Sequence, residues 1–157
     1  MTPQSVETRN EPLSKSRLRL WLKLLKASNL IEDQIRRRLR EQYQSTLPRF
    51  DVMSALARSP EGLKMSQISE MLRVSNGNVT GIVDRLTDEG LALRVAVPGD
   101  RRASLVRLTP KGQAAFAEHA AAHESWIDDM LDGLNADDVA GMIRRLDYLN
   151  NTLEEKE

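Results

Sequence analysis

Apolar residues recur at three- and four-residue steps along the first third of the chain, and this spacing predicts one long helix over residues 14–45. Ser14 or Ser16 is a candidate N-cap for this helix. The same spacing predicts a short helix over residues 49–58 and then a third helix, for which Ser66 is the candidate N-cap. The first half of the chain is therefore predicted to contain three successive helices.

A fourth helix is predicted over residues 76–89, with Ser75 as its N-cap and Gly90 at the position where left-handed backbone ends a helix. One side of this helix is apolar and is predicted to be buried: Val79, Ile82, Val83 and Leu86. The opposite side is polar. Two short helices joined by a brief connection, the second with a polar outer face, are typical of a helix-turn-helix.

Two β-prone runs follow at residues 91–97 and 103–108, on either side of a Pro-Gly-Asp tip. They predict a hairpin whose tip, over residues 98–102, is too long for a two-residue turn and projects. A hairpin directly after a helix-turn-helix is a wing. Helical patterning then resumes with Thr109 as the N-cap of a long helix, and a last helix is predicted over residues 137–153.

These elements predict a mainly α protein with a small β-wing (an α+β fold), in which N- and C-terminal dimerisation helices flank a winged helix-turn-helix. The last helix carries about seven apolar positions on one face, and a patch of that size usually marks an interface. We divide the chain into four segments: a flexible N-terminal arm (1–13), an N-terminal helix for dimerisation and ligand binding (14–47), the winged helix-turn-helix (48–112) and the C-terminal dimerisation helices (113–157).

The net charge is zero, but charge is strongly polarised along the chain. Residues 1–49 carry 11 Lys and Arg against 5 Asp and Glu, whereas residues 113–157 carry 3 against 11. This asymmetry indicates a part that binds an anion and an acidic part kept away from it. The absence of cysteine excludes disulfides and thiolate metal sites. No apolar run approaches the length of a membrane span, so a cytoplasmic protein without membrane contact is expected.

The polar face of the fourth helix has the side chains that a major groove requires, because short polar groups can read base edges there. Its glycines permit close approach of the backbone to DNA, the alternative being that they ease helix packing. Arginines at the wing tip suit a narrow minor groove, the alternative being plain solubility. We assign these positions to DNA contact: Ser75, Asn76, Asn78, Thr80, Gly81, Arg85, Arg101 and Arg102. Asp100 would repel phosphate, so it is expected to shape the wing.

The residues from Val74 to Leu86, the Glu89-Gly90-Leu91 step, and the Asp100-Arg101-Arg102 tip followed by Leu108-Thr109-Pro110-Lys111-Gly112 resemble the multiple-antibiotic-resistance regulator (MarR) family over residues 14–153. The resemblance implies a homodimer with an interface of terminal helices and two wings that reach outward. It maps residues 75–89 onto the recognition helix and matches Arg102, while Arg101 takes the variable middle position. A pseudo-palindromic double-stranded DNA operator with half-sites about 10 bp apart is expected.

The resemblance also implies a small anionic or phenolic effector, with repression relieved when it binds. The candidate ligand residues are Trp21, Leu25, Arg36, Arg38, Arg40, Phe50, Met53, Phe116 and His119. For the six that are not arginines, the alternative is ordinary core packing. Residues 17–40 and 47–51 look like a subgroup that controls aromatic-acid catabolism, in which some members respond to aryl-CoA thioesters. The arginines at 36, 37, 38 and 40 would then receive CoA phosphates, unless they follow DNA phosphates or only face solvent.

His119 and His123 have the i, i+4 spacing of zinc ligands, but no third ligand is evident, and no metal or cofactor is expected. Neither a phosphate loop nor a dinucleotide glycine fingerprint occurs, so the chain is predicted not to be an enzyme. One alternative function remains from another class, a winged-helix module that contacts proteins without binding DNA. Within the regulator class, the sequence leaves repressor and activator both open.

Overall fold

The computed structural model describes residues 11–73 and 76–156, without the side chains of residues 76, 77 and 101. In these ranges the chain forms six helices and three strands. In chain order they are α1 (Leu13–Tyr43), α2 (Leu47–Ala57), β1 (Leu63–Lys64), α3 (Met65–Leu72), α4 (Asn76–Asp88), β2 (Ala92–Val97), β3 (Asp100–Leu108), α5 (Pro110–Met130) and α6 (Ala136–Glu155). The mainly α architecture with a small antiparallel sheet confirms the predicted fold class.

The start of α1 differs from the expectation. Pro12 is the N-cap and makes no side-chain capping bond, while the Ser16 hydroxyl donates to Glu11 at 3.1 Å. Neither Ser14 nor Ser16 caps the helix, because the helix already begins at Leu13 and both serines lie inside its first turn. Along α1, apolar side chains are exposed in the first half and become buried only near the C-terminal end.

The segment from α2 to α3 contains a strand that the hydrophobic pattern did not predict. Thr46 caps α2 by accepting from the Arg49 amide at 3.2 Å. The two residues of β1 then pair with β3, and α3 begins immediately afterwards with Lys64 as N-cap. Ser66 is therefore inside α3 and not its cap. A strand of two residues is too short to show an alternating pattern, and only its partner strand reveals it.

The hydrophobic core lies among α2, α3, α4 and the sheet, whose strand order is β1-β3-β2. Of the predicted stripe on α4, three residues are fully buried and Ile82 is partly buried. The buried members of the core are Val52, Met53, Leu56, Ile68, Val79, Val83, Leu86, Leu91, Ala92, Val106 and Leu108. The apolar face of α4 is thus fixed in the core, and its polar face is left outside.

The hairpin of β2 and β3 turns over residues 98–99 alone, because Val97 pairs with Asp100. The expectation of a tip too long for a two-residue turn is therefore wrong. The reason is an irregularity beside the turn: Ala96 pairs with Ser104, so that three residues of β3 have no opposite residue on β2. The pairing between β2 and β3 therefore extends closer to the tip of the hairpin than the β propensities of the residues predict.

The chain divides into two compact units, one that ends at Ala121 and one that begins at Ala122. The second unit contains α6, which begins with a capping box in which Asn135 accepts from the Asp138 amide at 2.8 Å. The predicted apolar stripe of α6 is exposed: Val139, Met142, Ile143, Leu146, Leu149 and Leu153. None of the helices in the described ranges combines the length and apolar character that a membrane span needs.

Candidate DNA-binding interface

The outward face of α4 carries four of the residues predicted to contact DNA. Asn78, Thr80, Gly81 and Arg85 are all exposed, on the side opposite the buried stripe. A Cβ atom added at Gly81 would meet no atom of the described residues within 4 Å, so packing among those residues gives no reason for a glycine there. The predicted contacts of Ser75 and of the Asn76 side chain lie outside the described residues.

The C-terminal end of α4 is closed by a well-defined turn. The Leu91 amide donates to the Leu86 carbonyl at 2.8 Å and the Gly90 amide to the Thr87 carbonyl at 3.0 Å, with Gly90 at φ +74°. These are the two bonds of a Schellman motif, which needs left-handed backbone at Gly90. The Thr109 hydroxyl, at the start of α5, then donates to the Gly90 carbonyl at 2.6 Å.

The first turn of α5 packs directly on this end of α4. The Lys111 ammonium donates to the Glu89 carbonyl at 3.0 Å. A Cβ atom added at Gly112 would lie 1.9 Å from the Leu91 carbonyl oxygen, so only glycine fits between the two backbones. The Thr-x-Lys-Gly sequence at the start of α5 therefore joins α5 to the end of α4 through main-chain atoms.

Two ion pairs attach α4 to its other neighbours. Arg49 of α2 pairs with Glu89, and Arg94 of β2 pairs with Asp84 at 2.5 Å. The hydrogen bond from Arg49 holds the pKa of the Glu89 carboxyl below its usual value, against the opposing effect of partial burial. The helix is thus held on one side by α2, on another by the wing strand β2 and at its end by α5.

At the wing tip, the Asp100 carboxylate accepts from the Arg102 amide at 3.0 Å. The Arg102 side chain is exposed. The predicted contact of Arg101 falls on a side chain outside the described part of the chain. A carboxylate that bonds a main-chain amide two residues later stabilises a tight turn and keeps the following side chain pointing in one direction.

Three of the predicted ligand residues take part in two aromatic contacts, and Tyr43 is the fourth ring. Phe50 and Phe116 lie with ring centroids 5.6 Å apart, and His119 lies 4.2 Å from Tyr43. Burial lowers the pKa of His119, and the charge of Arg49 acts in the same direction. The Nδ1 atom of His119 is buried and has no hydrogen-bond partner within the described residues. We call these four side chains the aromatic cluster.

The remaining apolar ligand candidates are not part of the aromatic cluster. Met53 is fully buried in the core. Trp21 and Leu25 are exposed by 54% and 40% near the other end of α1. Trp21 precedes Tyr43 by 22 residues, about 33 Å along a straight helix, so one chain does not bring them into one pocket.

The arginine candidates are spread around α1. Arg36 pairs with Glu32 and Asp33 of its own helix at 3.4 and 3.6 Å, and exposed Arg40 lies one turn further along. Arg38 is half-buried and points about 200° away from Arg36 around the helix axis. Of the ligand candidates, Arg36 alone is among the described residues that line a cleft of about 210 Å³: Glu32, Arg36, Leu47, Pro48, Asp51, Val52, Leu72 and Ile82.

His119 and His123 are not accompanied by further ligands. Across residues 11–73 and 76–156, no group of three or more His, Asp or Glu side chains is arranged to hold a metal ion. Sequence reasoning did not single out Tyr43, and it named Arg49 and Lys111 only as members of resemblance motifs, without a role of their own. A signal existed for Arg49, because a cation in the first turn of a helix opposes the helix dipole and implies a partner elsewhere.

A short helix, a second helix with a polar outer face and an adjoining two-stranded hairpin define a winged helix-turn-helix protein. A sequence profile of the MarR family matches residues 44–103. The HTH-type transcriptional regulator MhqR of Bacillus subtilis (strain 168) is 25% identical over 127 residues, which are 81% of this chain and 86% of that protein. A MarR family transcriptional regulator from Silicibacter pomeroyi is 29% identical, with a TM-score of 0.72 over 94% of this chain and 100% of that one.

The profile, the curated regulator and the solved structure together support a winged-helix transcriptional regulator of the MarR family. Streptococcus pneumoniae FabT, solved in complex with DNA, has a TM-score of 0.73 over 90% of this chain and 99% of its own length. Its sequence is 24% identical, so this likeness shows the fold alone. The family assignment agrees with the resemblance carried by the recognition-helix, wing and α5 motifs.

Proposed function

We propose that this protein binds a specific DNA sequence by laying α4 in the major groove and the wing arginines, Arg101 and Arg102, in the adjacent minor groove. The observation that carries the proposal is the outward face of α4. It presents Asn78, Thr80 and Arg85 to the exterior around a glycine that internal packing does not require. Such a face suits the width of the major groove and its pattern of donors and acceptors. The bond from Asp100 to the Arg102 amide supports the wing-shaping role of Asp100.

We propose further that two copies associate through their terminal helices on a pseudo-palindromic operator. The exposed apolar stripe of α6 supports this, since contiguous apolar surface of this kind usually marks an interface. Sedimentation of the wild type should report a dimer. Leu146→Asp, at the centre of the stripe, should give monomers with weaker DNA binding, whereas Tyr148→Asp beside the stripe should stay dimeric. A monomeric wild type would contradict the proposal.

DNA binding is tested with a duplex that the wild type selects from a random-sequence library. Arg102→Ala should weaken binding and flatten the dependence of log affinity on log salt by about 0.9 for each phosphate that the variant no longer neutralises. Arg107→Ala, the same charge change further along β3, is the matched control and should leave both unchanged. Asn78→Ala or Thr80→Ala should instead cost about 1–3 kcal/mol of discrimination at the contacted base pair.

Two outcomes would overturn the DNA-binding proposal. If the wild type selects no duplex at low salt, the module that contacts proteins becomes the better interpretation. If Asn78→Ala weakens binding equally on every sequence, α4 does not read bases. Reporter expression with and without the protein then decides between a repressor, which we propose, and an activator.

The proposed effector is a small aromatic acid or its CoA thioester, which releases the repressor from DNA. The aromatic cluster supports this, since it offers stacking surfaces beside a buried imidazole nitrogen without a partner in the described chain. Arg36 and Arg40, on one side of α1, would receive CoA phosphates. A ligand must favour one of two DNA-binding states, because equal affinity for both shifts nothing.

A thermal-shift screen tests the effector, because a ligand that binds the folded state raises its Tm. Aromatic acids, their CoA thioesters and free CoA should be compared, and those that raise Tm should also release the selected duplex. Arg36→Ala combined with Arg40→Ala should weaken the response to the thioester but not to the acid. Equal responses of the variant and the wild type would remove the role of the arginines.

A further inference from the structure

Arg49 and Glu89 each lie at a helix end where the helix dipole disfavours their charge. Arg49 is the third residue of α2, where the positive end of the helix dipole disfavours a cation. Glu89 directly follows the last residue of α4, where the negative end of the dipole disfavours an anion. Neither charge is stabilised by the dipole of its own helix, so each depends on an interaction with another part of the chain.

The two side chains meet in an ion pair that joins residues 40 positions apart in sequence. The pair brings the guanidinium to the negative end of α4 and the carboxylate to the positive end of α2. Each charge therefore complements the dipole of the other helix while opposing its own. The Arg49 side chain is 21% exposed and the Glu89 side chain 51%, so the pair is partly exposed and water weakens it from the Glu89 side.

We infer that Arg49 is a positioning residue for DNA recognition: by holding Glu89 it fixes the orientation of α4 relative to α2, and so the angle at which the outward face meets the bases. The inference rests on the proposed DNA binding. It does not make Arg49 a DNA contact. Lys111 and Arg94 join α4 to α5 and to β2. Toward α2, the shared core holds the apolar face of α4, and Arg49 adds a polar restraint at the C-terminal end of the helix.

The geometry shows why a modest restraint matters. α4 has 13 residues and is about 20 Å long, so a tilt of about 10° about its C-terminal end moves its first residues by about 3 Å. Hydrogen bonds to base edges tolerate only a few tenths of an ångström. A small rotation would therefore cost sequence discrimination while leaving non-specific phosphate attraction almost intact.

The test compares Arg49→Gln, Glu89→Gln and the double variant for binding to the duplex selected by the wild type and to a scrambled duplex. We expect each single variant to bind the selected duplex about fivefold more weakly, the upper range for a partly exposed ion pair. Affinity for the scrambled duplex and the salt dependence should not change. The double variant should bind no more weakly than the worse single variant, because the partners act as a pair.

Arg58→Gln is the matched control, because it removes the same charge from the exposed residue that caps the other end of α2. It should bind both duplexes like the wild type. All variants are measured at a temperature where circular dichroism shows them folded, since a loss of stability alone would lower both affinities together.

Three results would overturn the inference. Unchanged discrimination in both single variants would show that the pair does not position α4. A flatter salt dependence in Arg49→Gln would make Arg49 a phosphate contact, and additive effects in the double variant would separate the two residues. If any of these results is obtained while the wild type still selects a duplex, the proposed DNA binding is unaffected. If the wild type selects no duplex, both the proposed DNA binding and the inference about Arg49 are wrong.

Discussion

Replacing Gly81 by alanine should raise the stability of the protein and lower its affinity for DNA. An interior glycine costs a helix about 1 kcal/mol relative to alanine. The added methyl group would meet nothing within 4 Å, so no clash offsets this gain. Gly81→Ala should therefore raise the free energy of unfolding by about 0.5–1 kcal/mol, measured by denaturation in urea.

The same change should weaken DNA binding. Gly81 lies on the face shared with Asn78 and Arg85, three residues before and four after it, so the methyl group would stand where the backbone is proposed to approach the groove. Removing one base contact costs about 1–3 kcal/mol, which corresponds to roughly a 5-fold to 150-fold decrease in affinity for the selected duplex. Fluorescence anisotropy measures this directly.

Gly141→Ala is the matched control for this experiment. Gly141 is an interior glycine of α6 where an added Cβ would come no closer than 3.9 Å to the Arg144 side chain. It should gain similar stability and bind DNA as before. If Gly81→Ala gained stability and kept full affinity, the backbone of α4 would not approach DNA closely, and the reasoning from the open glycine would be refuted.

Three further changes test individual features of the structure. Gly112→Ala should cost about 3 kcal/mol or more, measured by thermal denaturation, because its Cβ overlaps the Leu91 carbonyl; a small effect would show that α5 can move away. Because the pKa of Glu89 is lowered in the folded state, its ionised carboxylate stabilises the protein by less than about 1 kcal/mol above pH 4.5. This stabilisation is lost as pH falls through the folded-state pKa. In Glu89→Gln, the free energy of unfolding should therefore not show this loss when it is measured across the acid range. The lowered pKa of His119 likewise means that stability declines as pH falls from about 6.5, and His119→Phe should flatten this decline; an equal slope in both proteins would contradict it.

The sequence predicted the helices well where burial is periodic and local signals mark the ends. The stripe of α4 repeats at helical spacing, and its glycine terminator occupies the left-handed position that the pattern requires. Thr109 caps α5 by accepting from the Gly112 amide at 3.0 Å, as its position before a proline indicates. In these cases the physical cause lies within a few residues of the feature, so the local sequence is enough to predict it.

The features that were missed have partners far away in the sequence. The strand β1 exists because residues 63–64 meet β3 some 40 residues later, and the short wing turn exists because β2 and β3 pair with an irregularity. Arg49 and Glu89 are likewise 40 residues apart. Non-local pairing decides both β1 and the Arg49–Glu89 ion pair.

The division of charge between the two compact units changes how the zero net charge should be interpreted. The unit that ends at Ala121 carries 20 Lys and Arg against 13 Asp and Glu, and the unit that begins at Ala122 carries 3 against 10. Salt dependence arises from the cations that displace counterions at phosphates, and the acidic unit supplies few of these. Salt at physiological strength screens the repulsion between an exposed carboxylate and a phosphate once they are more than about 8 Å apart. Net charge summed over a whole chain therefore does not decide whether it binds a polyanion, because short-range cationic contacts persist at salt concentrations that remove long-range repulsion.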